Sequence, residues 1–209
     1  GLPLHHGYGL SEYAGALTLC RLGEWRDDVS AGYLVEGAEL RIVSPEGLDL
    51  PYGETGEIYM RGVGLMPGYF RDQAITDQVM KPGAWYASGD LGRQSADGAL
   101  QVVGRLKEMI IRSGFNVYPG EVEAVLLNYA GVQKAAVIGR KTADGNEEIL
   151  AFVEPKSGMV IDEAALQLHA HTHLTAYKRP SVITVVSEMP MTLSGKILKR
   201  ELLERIAQD

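Results

Sequence analysis

The sequence predicts a two-part fold, an all-β module followed by an α+β module of about 100 residues. Three observations lead there. The first half carries short segments in which apolar and polar residues alternate or nearly so, with Gly, Pro and Asp between them. After Arg105, stretches with helical spacing begin to alternate with β-branched runs. Glycine is abundant, at 25 residues, and falls in clusters that mark tight turns or close backbone approaches. The boundary is expected near Gly104 to Lys107, dividing the chain into residues 1–106 and 107–209.

Each element follows from local pattern. Gly1-Leu2-Pro3-Leu4-His5-His6-Gly7-Tyr8-Gly9 reads as loop without a Met or lead-in, so the sequence is expected to begin inside a longer protein. Residues 13–22 form a small apolar segment of unassigned type. Residues 39–43 and 57–61 read as strands, and residues 74–80 as a short helix. Residues 88–93 and 99–103 make a hairpin closed around Asp97-Gly98. In the second module, Pro119 suits a helix first turn, Val122, Val125, Leu126 and Tyr129 follow at helical spacing, and Gly131 is the expected stop. Residues 133–139 and 148–153 read as strands joined by the turn Ala143-Asp144-Gly145-Asn146. Asp162 is placed to cap a helix running to about His173, and residues 182–186 form a β-branched strand. A last helix is expected directly after Ser194, with Leu198, Leu202 and Ile206 on one stripe.

Composition narrows the function classes. The chain of 209 residues is 45% hydrophobic with a formal charge of −7, the profile of a globular protein. No apolar run reaches the roughly 18 to 20 residues of a membrane span, and no export signal is visible. Cys20 is the single cysteine, which excludes an internal disulfide and fits the cytoplasm. The acidic balance and the lack of long Lys/Arg runs argue against nucleic acid as a partner.

Three clusters carry chemistry. In Ser194-Gly195-Lys196 a lysine is expected in the first turn of the last helix, where the dipole disfavours a cation by roughly 0.3 to 1 kcal/mol. Lys196 is therefore either a solvated surface cation or one of several groups converging on an anion. In Gly7-Tyr8-Gly9-Leu10-Ser11-Glu12 the glycines allow close approach of a ligand. Tyr8 offers a flat face, Ser11 a hydroxyl and Glu12 a hard oxygen suited to Mg²⁺, although a plain Gly-rich turn has the same composition. In Tyr86-Ala87-Ser88-Gly89-Asp90 the Asp after Gly can accept sugar hydroxyls or simply shape a turn. His169 and His173 share a helix face, but without an evident third ligand a metal is not expected there.

Taken in order, these clusters resemble the adenylate-forming superfamily of acyl-CoA synthetases, firefly-type luciferases and peptide-synthetase adenylation domains. Further matching segments are Gly56-Glu57-Ile58, Met66-Pro67-Gly68-Tyr69-Phe70, Gly104-Arg105-Leu106-Lys107-Glu108-Met109-Ile110, the run from Ser113 to Glu123, and the run from Pro190 to Leu202. The resemblance implies the β-rich, β-barrel-like remnant of a large AMP-binding domain, followed by a small, mobile α+β C-terminal domain. It implies that a carboxylic acid, expected to be a fatty acid, attacks ATP to give acyl-AMP and pyrophosphate, and that CoA then displaces AMP.

Roles follow from the same resemblance. Gly7, Tyr8, Gly9, Leu10, Ser11, Asp90, Arg105 and Lys196 are expected to bind nucleotide, with Tyr8 stacked on adenine and the Asp90–Arg105 pair on the ribose hydroxyls. Glu12 resembles the Mg²⁺ ligand and Ser11 stands where the family usually has Thr. Lys196 resembles the catalytic lysine that bridges the acyl carboxylate and the α-phosphate. Lys107 matches the hinge position. Ser113, Gly114 and Phe115 are expected to face CoA, as is Lys178, which a solvated surface pairing would explain equally well. The family's phosphate loop and acyl pocket have no counterpart in these 209 residues. A missing N-terminal part of the same enzyme is therefore an expected partner, and the isolated chain is expected to be inactive. A peptide-synthetase adenylation domain and a non-catalytic nucleotide- or CoA-binding module are the alternatives.

Overall fold

The computed structural model describes residues 4–206; the Gly1-Leu2-Pro3 start of the predicted opening loop lies outside them. Two compact units are present, Gly1–Lys107 and Glu108–Asp209. The first is β-rich and the second α+β.

In the first unit, β1 (Gly7–Leu10), β2 (Gly15–Leu19) and β3 (Tyr33–Leu34) form a small antiparallel sheet. The apolar segment after Tyr13 thus resolves into β2, which sends Leu17 into the core. A larger sheet follows from β4 (Ala38–Val43), β5 (Gly56–Gly62), a short α1 (Gln73–Val79), β6 (Met80–Lys81), β7 (Trp85–Gln94) and β8 (Leu100–Arg105). Strands β4 and β5 pair with Leu40 opposite Met60, as their alternation leads one to expect. Strands β7 and β8 form the predicted hairpin, in a register that sets Asp90 opposite Arg105. Leu17, Ile42, Ile58, Met60, Tyr86 and Leu100 make the core.

In the second unit, β9 (Ile110–Arg112) and β10 (Phe115–Val117) form a tight hairpin ahead of α2 (Pro119–Leu127). Pro119 sits in the first turn of α2 as expected, but the helix ends at Asn128, before Gly131. Two successive turns, Tyr129 N–H to Leu126 O and Val132 N–H to Tyr129 O, then carry the chain into the next strand. That strand, β11 (Val132–Lys141), pairs antiparallel with β12 (Glu147–Pro155), and β13 (Val182–Val185) adds in parallel after the crossover helix α3 (Glu163–His173). Asp162 caps α3 by accepting the N–H groups of Ala164 and Ala165 at 2.9 and 3.1 Å.

Strand β12 is buried on both faces, which explains its nearly unbroken apolar run. Ile149, Ala151 and Val153 face α2, α3 and the β9–β10 hairpin through Val122, Leu126, Leu166 and Ile110. Leu150 and Phe152 face the opposite way, onto Met189 and Leu202. Leu202 belongs to α4 (Lys199–Ile206), the last helix. The helix starts four residues later than the expected start directly after Ser194. Of the predicted stripe, Leu202 is buried and Leu198 precedes the helix, while the Ile206 side chain lies outside the described ones.

Glu154 continues the Leu150–Phe152 face and is buried. One carboxylate oxygen takes the Lys134 ammonium at 2.6 Å and the other accepts the Met189 N–H at 2.7 Å. Burial pushes this carboxyl up, but the Lys134 hydrogen bond, the Met189 N–H and the Lys134 charge outweigh it and hold it below the usual carboxylate range.

Two stability experiments follow. Asp162→Ala should destabilise the second unit by about 1 kcal/mol in urea titrations, the usual cost of losing an N-cap. A depressed native carboxyl means that Glu154 contributes fully above its ordinary value of 4.5 and loses that contribution as pH falls through the native one. Glu154→Gln should therefore flatten the acid limb of the urea midpoint plotted against pH; an unchanged slope would show that this carboxyl does not govern it.

Candidate active site

Strands β1, β7 and β8 bring three of the sequence-predicted residues together. Tyr8 donates its hydroxyl to Asp90 Oδ2 at 2.6 Å, and Arg105 Nε lies 3.2 Å from Asp90 Oδ1. Both oxygens of this nearly buried carboxylate thus have a partner, while the Arg105 side chain is about half exposed. The Tyr8 phenol is pushed well above its usual value by burial, by its hydrogen bond to Asp90 and by the Asp90 charge, so it remains a donor. The Asp90 backbone is set by Ser88, whose hydroxyl donates to Ile58 O at 2.7 Å and accepts the Asp90 N–H at 3.0 Å. Glu57 accepts the Gly89 N–H at 2.9 Å, tying the same turn to β5.

Glu12 lies in the single 3₁₀ turn Ser11–Tyr13 that follows β1. Its Oε1 accepts the Tyr69 hydroxyl at 2.9 Å, and Tyr69 in turn lies 3.1 Å from the Tyr86 hydroxyl. The Met66 N–H bonds to Glu12 O at 2.8 Å, so the Met66-Pro67-Gly68-Tyr69 loop is tied to the turn that carries Glu12. Glu12, Tyr69, Tyr86, Asp90 and Arg105 line one cavity of about 460 Å³. The sequence reading assigned no role to Tyr69, Tyr86, Ser88 or Glu57, although all four lie in segments it had quoted. Their contacts span 17 to 57 residues of chain, beyond the reach of any local pattern.

The glycines of the first motif have a different reason from the one expected. A Cβ on Gly9 would lie 2.0 Å from Gly15 O, so strand β2 requires the glycine without any ligand. Gly7, Leu10 and Ser11 complete this strand and turn; Leu10 lines the cavity and Ser11 is exposed. Lys107 is exposed at the end of the first unit, and a neighbouring cavity of about 420 Å³ runs from Ser88 and Asp90 to Leu106 and Lys107.

The remaining predicted residues lie in the second unit. Lys196 is not at a helix N-terminus, and the dipole argument made for it does not apply. It sits on the returning arm of a small hairpin in which Met191 bridges Ile197, Thr192 N–H bonds to Lys196 O at 2.8 Å, and Lys196 N–H bonds to Thr192 Oγ1 at 3.0 Å. Gly195, at φ 84°, makes the turn that stops the helix from starting earlier. Lys196 is exposed and has no carboxylate partner among the described residues.

By contrast, Lys199 is held by Glu123 at 2.9 Å and Glu108 at 3.0 Å. Burial would lower the Lys199 ammonium, but these two carboxylates outweigh it and raise it. Ser113 and Gly114 form the β9–β10 turn at φ 53° and 80°, with the Ser113 N–H on Asn146 Oδ1 at 2.8 Å. Phe115 stacks on Tyr177 with ring centroids 4.6 Å apart. Lys178 is half-buried and paired with Glu121. His169 and His173 stack at 4.2 Å and bond to the backbone carbonyls of Val125 and His169. No group of three or more metal-ligating side chains occurs among the described residues.

Comparison with known proteins places the chain in a family. The AMP-binding enzyme family model matches residues 1–70, and that of the AMP-binding enzyme C-terminal domain matches residues 121–196. The chain is 40% identical to a feruloyl-CoA synthase of Amycolatopsis sp, over 98% of this chain and 42% of the relative. It is 36% identical to a long-chain-fatty-acid–CoA ligase of Salmonella typhimurium, over 97% of this chain and 36% of the relative. The structure of ATP-bound MatB from Rhodopseudomonas palustris superposes with a TM-score of 0.90 at 31% identity, over 97% of this chain and 40% of that one. The chain belongs to the AMP-binding enzyme family, the adenylate-forming superfamily. It spans 36 to 42% of the length of these curated relatives.

Tyr8→Phe tests the cluster directly. It removes a hydrogen bond to a charged acceptor and should destabilise the first unit by about 1.5 kcal/mol, read as a shift of its urea midpoint. No shift would mean that water replaces the hydroxyl at no cost.

Proposed function

We propose that these residues form the C-terminal share of an ATP-dependent, AMP-forming acid–CoA ligase. The observation that carries this reading is the Asp90–Arg105 pair, held by the Tyr8 hydroxyl, opening on the same cavity as Glu12. Asp90 and Arg105 suit ribose hydroxyls, since each keeps hydrogen-bonding capacity beyond their mutual contact. The Tyr8 ring offers the adjoining flat surface for adenine. Glu12 fits Mg²⁺ as a single carboxylate ligand, because one oxygen is oriented by Tyr69 and the other has no partner among the described residues. Mg²⁺ is commonly held by one or two carboxylates together with substrate phosphates, whose charge it would offset. The phosphate loop and the acyl pocket would come from outside these 209 residues.

In the first half-reaction an oxygen of the substrate carboxylate forms a bond to the α-phosphorus, and the bond to pyrophosphate breaks. Two anions must approach, and the unpaired Lys196 ammonium supplies the opposing charge. In the second, the CoA thiol forms the thioester, losing its proton, and AMP leaves. The segment Ser113-Gly114-Phe115 is assigned to that step, with Lys178 at its margin and Lys107 as the hinge between the two arrangements. One feature of the second unit supports this division. The β9–β10 hairpin packs on one face of the β11–β12–β13 sheet, and the Lys196 hairpin with α4 packs on the other.

The acid is the open choice. A fatty acid is our first assignment, supported by the 36% identical long-chain-fatty-acid–CoA ligase and by the Ser113 to Pro119 segment, which is similar to that of fatty-acyl and other CoA ligases. An aromatic acid of the feruloyl type is the second, favoured by the 40% identical relative. We place the reaction in the cytoplasm, where ATP and CoA are available; among the described residues no helix is long and apolar enough to cross a membrane.

Acid-dependent ATP–pyrophosphate exchange, run with both acid classes on the protein that carries this chain together with a phosphate loop, tests the reading. The 209 residues alone should show no exchange. Lys196→Ala should lower exchange by about 10²-fold or more while thioester formation from supplied acyl-adenylate persists. Full exchange in that variant would remove Lys196 from the chemistry.

A further inference from the structure

The Lys196 hairpin is a surface feature, yet its first strand is fixed from inside the domain. Met189 immediately precedes it and is buried against Leu150, Phe152 and Leu202. Pro190 follows and has no N–H, so the Met189 N–H is the last backbone donor before the hairpin. Its acceptor is the second oxygen of Glu154. Pro190 O then receives the Leu198 N–H at 2.7 Å, which closes the hairpin on itself.

A carboxylate is a costly way to fill position 154. Along this face of β12 its neighbours are Leu150 and Phe152, and across the strand pair Ala136 and Ile138 are apolar as well. A buried ion pair is commonly no more stabilising than apolar side chains of similar volume, so packing alone does not call for Glu154 and Lys134. What an apolar pair would not provide is an acceptor for the Met189 N–H.

We propose that Glu154 is a positioning residue for Lys196: by holding the Met189 N–H it fixes the height and direction at which the hairpin leaves the sheet. This rests on the reading of Lys196 as the adenylation lysine. The reacting groups must be placed to within about 1 Å, and errors of that size cost up to about 10²-fold in rate. Lys134 neutralises the carboxylate and orients it; among the described residues it makes no hydrogen bond or ion pair to the hairpin.

The test compares two paired variants in the complete enzyme. Lys134→Met with Glu154→Leu removes the charges and the acceptor. Lys134→Met with Glu154→Gln removes the charges and keeps an amide oxygen for Met189. The Leu pair should lower kcat of acid-dependent ATP–pyrophosphate exchange about tenfold, with the KM for ATP and the rate of thioester formation from supplied acyl-adenylate within about twofold of the parent. The Gln pair should recover most of the exchange rate. Equal exchange in the two pairs, or equal loss of both half-reactions in the Leu pair, overturns the proposal in favour of a purely structural role.

If the Leu pair does not fold, Glu154→Gln alone serves. With Lys134 drawing the amide oxygen, the Met189 N–H loses its acceptor and the same split between half-reactions is expected; a uniform loss overturns the proposal. Lys196→Ala is run beside these variants. If it retains exchange, the reading of Lys196 fails whatever the Glu154 variants do. If it loses exchange while the Leu pair keeps it, only the positioning role fails.

Discussion

A carboxylate taken out of water has to be given partners, and in each unit one such carboxylate organises the segment that matters. In the first unit it is Asp90, with one oxygen taken by the Tyr8 hydroxyl and the other by Arg105. These residues come from β1, β7 and β8, so satisfying one charge ties three strands together beside a common opening. In the second unit it is Glu154, shared between Lys134 and the Met189 N–H. There the same requirement reaches from near the end of β12 to the base of a surface hairpin.

The two units use this device to opposite ends. The Asp90 cluster faces a cavity and keeps capacity for further hydrogen bonds, as a site for a sugar would require. The Glu154 cluster is buried, does not line that cavity, and serves to place something else. The lysines show the same contrast. Lys134, Lys178 and Lys199 each have a carboxylate within reach, whereas Lys196 on its hairpin has none among the described residues. An unpaired, exposed ammonium on a firmly rooted hairpin is available to an anion that arrives later.

The legible parts of the fold were those encoded within a few residues. Pro119 opens its helix because its missing N–H is one the helix would leave unpaired in any case. Asp162 caps α3 through its own side chain. The alternation around residues 39–43 and 57–61 reports which side chains point inward. The last helix was misplaced because Ser194-Gly195 resembles a helix start, while the Met191–Ile197 bridge that turns those residues into a hairpin is not a local pattern. The helix waits for Lys199, whose partners Glu108 and Glu123 lie 91 and 76 residues earlier in the sequence.

The amino-acid sequence by itself determined the division into a β-rich and an α+β part, the inward face of alternating strands such as residues 39–43 and 57–61, and the chemical types available for the site, because periodicity, capping and turn chemistry act over a few residues. Only the tertiary structure decided which of those types meet. It joined Tyr8 to Asp90 across 82 residues, Glu12 to Tyr69 across 57 and Glu154 to Met189 across 35. It also moved Lys196 from a helix end to a hairpin. The physical reason is the same each time: a buried polar group takes whatever partner the fold brings within about 3 Å, and nothing in the neighbouring sequence records that distance.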